Sequence, residues 1–325
     1  MKTIIGVDLG GTTIKVAAVT EDGNNVFGIV RTDTNAEAGA DHVVSNIFSA
    51  IEECRSSAEK ETNEKLDILG IGIGSPGPID TKRGIVVTSP NLRWVNMPLR
   101  DKVEERFGLD ATLENDANCA VLGEWWRGAA QGANIVVGVT IGTGVGGGFI
   151  LDGKIFHGAS DVAGEFGHVT IDSTGRRCGC GNYGCLEAYA SGKAIAKRAV
   201  ESIQAGADST IAQHAGGDVS KVTAEHVYAA AAEGDDLARE VVRDTARFLG
   251  TGIASLVNIC NPEIVVICGG VTQAGDQLFR PLKEEISKRA FKRASEVVTV
   301  VPGQLPGTAG IVGAARAFQT FQEGK

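Results

Sequence analysis

Residues 7–13, Val-Asp-Leu-Gly-Gly-Thr-Thr, and residues 139–144, Val-Thr-Ile-Gly-Thr-Gly, share one layout: an apolar strand, a Gly/Thr turn and a second strand. The first is flanked by β-branched runs at residues 3–8 and 14–19, and Asp22-Gly23 then signals a hairpin into residues 26–31. Bare N–H groups and hydroxyls on one short loop can wrap phosphate oxygens. An ordinary hairpin without a ligand is the alternative. Asp8, at the strand end, can orient Mg²⁺ through water. Two such loops, one per half, predict a duplicated α/β architecture with a cleft between lobes, each loop gripping a polyphosphate. Gly142, Gly144 and Gly147 also satisfy the dinucleotide fingerprint, but a strand and the Asp152-Gly153 turn follow where that fingerprint needs a helix. No Walker A pattern occurs.

Outward from these loops, strands and helices alternate. Residues 36–60 carry helical spacing, with Val43, Val44, Ile47 and Ile51 on one face. Residues 68–73 read as a buried strand ending in a rigid loop, Gly74-Ser75-Pro76-Gly77-Pro78, with no room for a ladder. A helix is expected over 97–107 and a strand over 111–113. Glu114-Asn115-Asp116-Ala117-Asn118 follows, ahead of a helix over 120–127. Polar groups at strand ends of α/β folds face ligands, although Asp116 can also serve as the helix cap. Past residue 191 the chain turns helical over 192–204, 223–233 and 235–257, with Thr223 and Asp235 as N-caps. Residues 263–268 form a buried strand running into Gly269-Gly270, where a flat ring or ribose can approach the backbone. A helix at 281–289, extending back toward Gly275, a strand at 297–301 and a closing helix from Gly307 complete the chain. The lobes are expected as 1–118 with 302–325, and 119–301.

Residues 164–191 hold one more cluster. Cys178, Cys180 and Cys185 lie close together, with His168 upstream and glycines between the cysteines. Four N/S donors in one loop can close a tetrahedral shell around zinc, and a closed shell is structural. Three neighbouring buried thiols are the alternative. Glu165 and Glu187 flank the ligands, so the metal would clamp these carboxylates and the His168 ring at a polar site.

A net charge of −9 disfavours nucleic acid or anionic membrane as partner. No apolar run reaches a membrane span, and the N-terminus enters a strand at once. Cys54, Cys119, Cys260 and Cys268 sit in apolar contexts and read as reduced core thiols. A cytoplasmic, soluble protein is expected.

Taken together, Asp8-Leu9-Gly10-Gly11-Thr12, Glu114-Asn115-Asp116-Ala117-Asn118, Glu165-Phe166-Gly167-His168 and the Cys178–Glu187 segment resemble the ROK family of sugar kinases and sugar-responsive repressors. The likeness runs nearly end to end and is closest to the family's bacterial ATP-dependent glucokinases. It implies an actin/hexokinase-like fold, a homodimer, and transfer of phosphate from ATP with Mg²⁺ to glucose, giving glucose 6-phosphate. Asp116 would be the general base. Gly77, Asn115, Asp116, Glu165, His168 and Glu187 would contact the sugar. Asp8, Gly10, Gly11, Thr12, Thr13, Thr143 and Gly144 would hold phosphates, and Gly269 and Gly270 would face the adenosine. His168, Cys178, Cys180 and Cys185 would bind structural zinc. Kinases for other hexoses, such as N-acetylmannosamine or N-acetylglucosamine, and a non-catalytic sugar sensor are the alternatives.

Overall fold

Strand β1 (Lys2–Leu9) sets the layering of the first half. In the computed structural model, which describes residues 1–324, its side chains alternate between two apolar cores. Ile5, Val7 and Leu9 enter one and Ile4 the other, all fully buried. A strand that is apolar on both faces needs cover on both. β2 (Thr13–Thr20) and β3 (Val26–Asp33) extend it as an antiparallel meander, and α1 (Ala40–Thr62) packs on them. The helix expected from residue 36 starts later because Gly39, at φ 103°, separates it from a 3-10 turn at Ala36–Ala38.

β4 (Asp67–Ser75) runs parallel to β1. The expected loop at residues 74–75 is in fact ladder: Gly74 pairs with Asp8 and Glu114, and Ser75 with Asn115. Small residues fit a fully buried strand, and Pro76, which has no N–H, ends it. A small sheet that the periodicity did not announce follows, made of β5 (Ile79–Asp80), β6 (Ile85–Ser89) and β7 (Trp94–Met97). Then come α2 (Leu99–Phe107), β8 (Ala111–Asn115) and α3 (Asp116–Arg127). The first sheet has the order β3-β2-β1-β4-β8.

The pattern then repeats. β9 (Ile135–Ile141), β10 (Val145–Leu151) and the short β11 (Lys154–Ile155) form a second meander. The chain continues through α4 (Glu187–Ala190), α5 (Gly192–Gln204), α6 (Ile211–His214), α7 (Ala224–Glu233) and α8 (Asp236–Cys260). β12 (Ile264–Cys268), α9 (Asp276–Arg289), α10 (Lys292–Val297), β13 (Thr299–Pro302) and α11 (Ala309–Glu323) close it. The second sheet, β11-β10-β9-β12-β13, has the same succession of a meander beside parallel strands. The duplication read from the two Gly/Thr turns is therefore present in the topology.

Two compact units result: 1–134 with 148–164 and 304–325, and 135–147 with 165–303. The expected cut at 118/119 runs differently, because α3 packs on α11 and belongs with it. A Cβ at Gly123 would strike the Ala309 carbonyl, and one at Gly313 the Cys119 carbonyl, so the two helices cross at backbone contact. α11 lies equally close to the sheet. Gly6 faces the Ile311 carbonyl, Gly72 the Ala314 carbonyl, and Gly70 the Phe318 ring.

Candidate active site and metal-binding loop

In the first unit the end of β8 and the start of α3 form one polar turn. Asn115, not Asp116, is the N-cap: its Oδ1 accepts from the backbone N–H groups of Ala117 at 2.9 Å and Asn118 at 3.1 Å. Its amide donates to the Gly77 carbonyl at 3.3 Å, which brings Gly77 to the same place. Gly77 itself, at φ 100°, presses on the Thr88 carbonyl, a position no side chain could share. Asp116 is the first helical residue, half-buried, with Oδ1 accepting from Ala117 N–H at 2.9 Å. An acid in the first turn suits the helix dipole.

On β1, Asp8 sits beside the first turn of α11, where a Cβ on Gly310 would meet its carboxylate at 2.8 Å. Lys15 Nζ lies 3.4 Å from Asp8 Oδ2. Sequence reading missed Lys15, although the hairpin register that pairs Leu9 with Ile14 also pairs Asp8 with Lys15. The turn between closes on Gly10 N–H, which donates to the Thr13 carbonyl at 2.9 Å. Thr34 Oγ1 anchors the turn from below by donating to the Gly10 carbonyl at 2.7 Å. Gly11, Thr12 and Thr13 remain at least partly open to solvent.

The second unit carries the matching turn. Gly142 N–H donates to Gly144 O at 3.0 Å, and Gly142 O accepts from Gly192 N–H at 2.8 Å. Thr143 is exposed. A cavity of about 680 Å³ opens here, lined among others by Thr143, Lys193, Tyr228, Gly270 and Gln277. It unites the second Gly/Thr turn with the Gly269-Gly270 segment. Only Gly270 lines it. Gly269, at φ 104° and against the Ile141 carbonyl, makes the turn possible.

Phe166–His168 form a 3-10 turn folded onto β10, with Glu165 as its N-cap residue. Gly167 abuts the Val145 carbonyl and Phe166 fills the space above Gly147, which leaves Glu165 and His168 exposed. Glu187 is held at the start of α4. Its Oε2 accepts from Val145 N–H at 3.0 Å, and its Oε1 lies 3.9 Å from Cys178 Sγ. One carboxylate thus touches both the second Gly/Thr hairpin and the cysteine loop.

His168, Cys178, Cys180 and Cys185 bring one donor atom each to within 4.8 Å of one another. The pairs His168 Nδ1–Cys178 Sγ and Cys180 Sγ–Cys185 Sγ are each 3.7 Å apart. A tetrahedron with Zn–S bonds near 2.3 Å has edges of about 3.8 Å, so the spacing fits a zinc-sized soft cation. The loop is shaped by Gly181 at φ 96° and Gly184 at φ 72°. Gly179 has neither a positive φ nor a crowding neighbour, so it is not required in the way the sequence suggested. Burial, with the adjacent thiols, pushes the Cys185 thiol up to about 12, and burial raises Cys178. The Asn182 backbone N–H lowers Cys180. Buried thiols held this close favour a cation that replaces their protons.

A two-unit α/β fold with a Gly/Thr turn in each unit, a polar strand end and a Cys/His loop is the class these features define. The ROK family model matches residues 4–320, and the chain belongs to the ROK family, with its actin/hexokinase-like α/β fold. It is 40% identical to the glucokinase of Halalkalibacterium halodurans over 95% of this chain and 92% of that protein. Identity to the Thermotoga maritima glucokinase is 40%, covering 96% of each. The crystal structure of a ROK family glucokinase from Streptomyces griseus, in complex with glucose and AMPPNP, superposes with a TM-score of 0.85 at 36% identity, covering 97% of this chain and 98% of that one.

Proposed function

We propose that this chain is an ATP-dependent glucokinase that converts glucose to glucose 6-phosphate. The observation that carries the reading is near-full-length similarity to a glucokinase whose structure holds glucose and an ATP analogue. The geometry within each unit supports it. A sugar presents hydroxyls in fixed directions, and its site needs rigid polar partners. Asn115 is locked as an N-cap, Glu187 is fixed by Val145, and His168 would be oriented through Nδ1 by a metal, leaving Nε2 for a hydroxyl. Glu165 completes the set. Asp116 takes the proton from the attacking 6-hydroxyl. Asp8 and the Gly10–Thr13 turn, and Thr143 with Gly144, hold phosphates. The 680 Å³ cavity at Gly270 takes the adenosine.

Asp8 offers the hard oxygen that Mg²⁺ prefers, through water. Mg²⁺ entering with ATP would supply charge neutralisation at the transferring phosphoryl group. His168, Cys178, Cys180 and Cys185 would hold zinc, and with all four positions filled by the chain its role would be structural. The reading extends to a cytoplasmic homodimer. Ile259 and Phe291 are 78% and 80% exposed, and the Phe291 N–H to Asn258 Oδ1 hydrogen bond at 2.7 Å joins their segments, so these two side chains would suit a subunit contact. No helix among the described residues is long and apolar enough to cross a membrane.

The test is ADP release from MgATP against glucose, mannose, N-acetylglucosamine and N-acetylmannosamine, with polyphosphate as a second donor. Turnover dominated by glucose supports the reading. Dominance of an N-acetylated sugar moves the substrate but keeps the chemistry. Sugar binding without turnover points to a sensor. Asp116→Ala should retain glucose binding and lose roughly 10²–10⁴-fold in kcat, the span of general-base catalysis. Full activity in that variant would remove Asp116 from the mechanism.

A further inference from the structure

Beneath the turn that carries Asn115 and Asp116 lies a carboxylate with no part in the chemistry above. Glu114 is 6% exposed. Its Oε1 accepts from the Asn115 backbone N–H at 2.8 Å and from the Asn118 side-chain amide at 2.9 Å. Its Oε2 lies 2.7 Å from His157 Nε2. We propose that His157, as an imidazolium paired with Glu114, is a positioning residue that holds the β8–α3 turn in the shape that aims Asp116 and Asn115. This rests on the reading of Asp116 as the base.

A buried ionised carboxylate persists only when paired and hydrogen-bonded. Glu114 spends one oxygen on the turn itself and the other on His157. Without His157, Oε2 is left without its partner or the carboxylate rotates toward the neighbouring cavity of about 380 Å³. Either change weakens Oε1 as acceptor for the two donors that set the first turn of α3. Asn118 is the sensitive one. Its Oδ1 is buried with no partner among the described residues and lies where a Cβ on Gly148 would meet it at 2.6 Å, so Glu114 orients its amide.

His157 is itself built in. Phe156 N–H before it donates to Phe149 O at 2.9 Å, and Ala163 N–H after it donates to His157 O at 3.1 Å. In the same loop Asp161 Oδ2 accepts from Thr81 N–H and Thr81 Oγ1, each at 3.1 Å. The charged groups around the ring are Glu114 on β8, Asp161 on its own loop, Lys82 between β5 and β6, Arg100 on α2 and Lys154 on β11. The hydrogen bond to Glu114 raises the His157 pKa above the usual imidazole range, against the pull of burial. Nothing in sequence spacing links positions 114 and 157, which is why sequence reading passed over the pair.

The experiment is steady-state kinetics across pH on wild type, His157→Ala, His157→Gln and Asp116→Ala, with glucose binding by calorimetry and a thermal melt for each. His157→Ala should lose on the order of 10- to 100-fold in kcat, the scale of a misplaced catalytic group. KM for MgATP should stay within about two-fold and KM for glucose should rise less than kcat falls, because Asn115 is one sugar contact among several while Asp116 acts only in the transition state. His157→Gln, whose amide can still donate to Glu114, should recover most of kcat at neutral pH. Wild-type kcat should fall on the alkaline side as His157 deprotonates, and His157→Gln should lack that limb. A folded His157→Ala enzyme with wild-type kcat beside an inactive Asp116→Ala overturns this inference alone. Full activity in Asp116→Ala overturns the base reading and this inference with it. Loss of glucose binding without rescue by Gln shows a merely structural histidine. If His157→Ala does not fold, an alkaline limb retained in His157→Gln overturns the inference, and a missing limb supports it.

Discussion

At the scale of single residues, the cysteine loop makes the sharpest chemical demand. Cys185 is fully buried and its thiol is pushed up to about 12 by burial and by its neighbours. Unmetallated, Cys178 and Cys185 hold their protons, and a bound cation must displace them. Metal content should therefore fall as buffer is taken from alkaline to mildly acidic, with protons released on reloading. Inductively coupled plasma mass spectrometry on dialysed samples measures this, and content independent of pH would count against thiolate ligation. Cys185→Ser should abolish metal retention at any pH, together with the tight hold on Glu187. The Cys/His cluster was legible in sequence because it is local: His168 and Cys185 are close enough in the chain for one loop to gather the four side chains. The same locality exposed Asn115-Asp116, although which of the two caps α3 was decided only by backbone geometry.

At the scale of elements, α11 shows what periodicity leaves unread. Its apolar spacing predicts a helix with a buried face. That this face rests on bare backbone is a property of Gly6, Gly70 and Gly72 on two strands far away in sequence. These glycines read as turn formers or weak strand residues by local propensity, yet they sit mid-strand, where a Cβ would meet α11. Gly72→Val should place its side chain on the Ala314 carbonyl and destabilise the first unit by about 1–3 kcal/mol or more, the usual range for overpacking. Urea unfolding followed by circular dichroism checks it, and an unchanged midpoint would mean that α11 yields easily. A displaced α11 also moves Gly310 away from Asp8, so KM for MgATP should rise in the same variant. The sheet of β5, β6 and β7 and the short helices α6 and α10 escaped the sequence because each is too short to show a period.

For the molecule as a whole, acid–base behaviour is coupled to the first unit through Glu114 and His157. A raised imidazole pKa means that the folded state binds the proton more tightly than the unfolded chain. The stabilisation from this pair is therefore complete below the ordinary imidazole pKa and is lost as pH rises through the higher folded value. The urea midpoint of the wild type should decline over that window relative to His157→Gln, and parallel curves would show no net contribution. The duplicated architecture was readable from two short Gly/Thr turns because a strand–turn–strand signal is local and strong. Family membership was readable because its motifs are contiguous. The sequence by itself determined the two meanders, the long helices and the members of the Cys/His loop, since chain neighbours supply the contacts. Only the tertiary structure decided where α3 belongs, which glycines carry α11, that Lys15 meets Asp8, and that His157 completes Glu114. Those contacts join residues distant in the chain, and their energy comes from burial and pairing that no local pattern encodes.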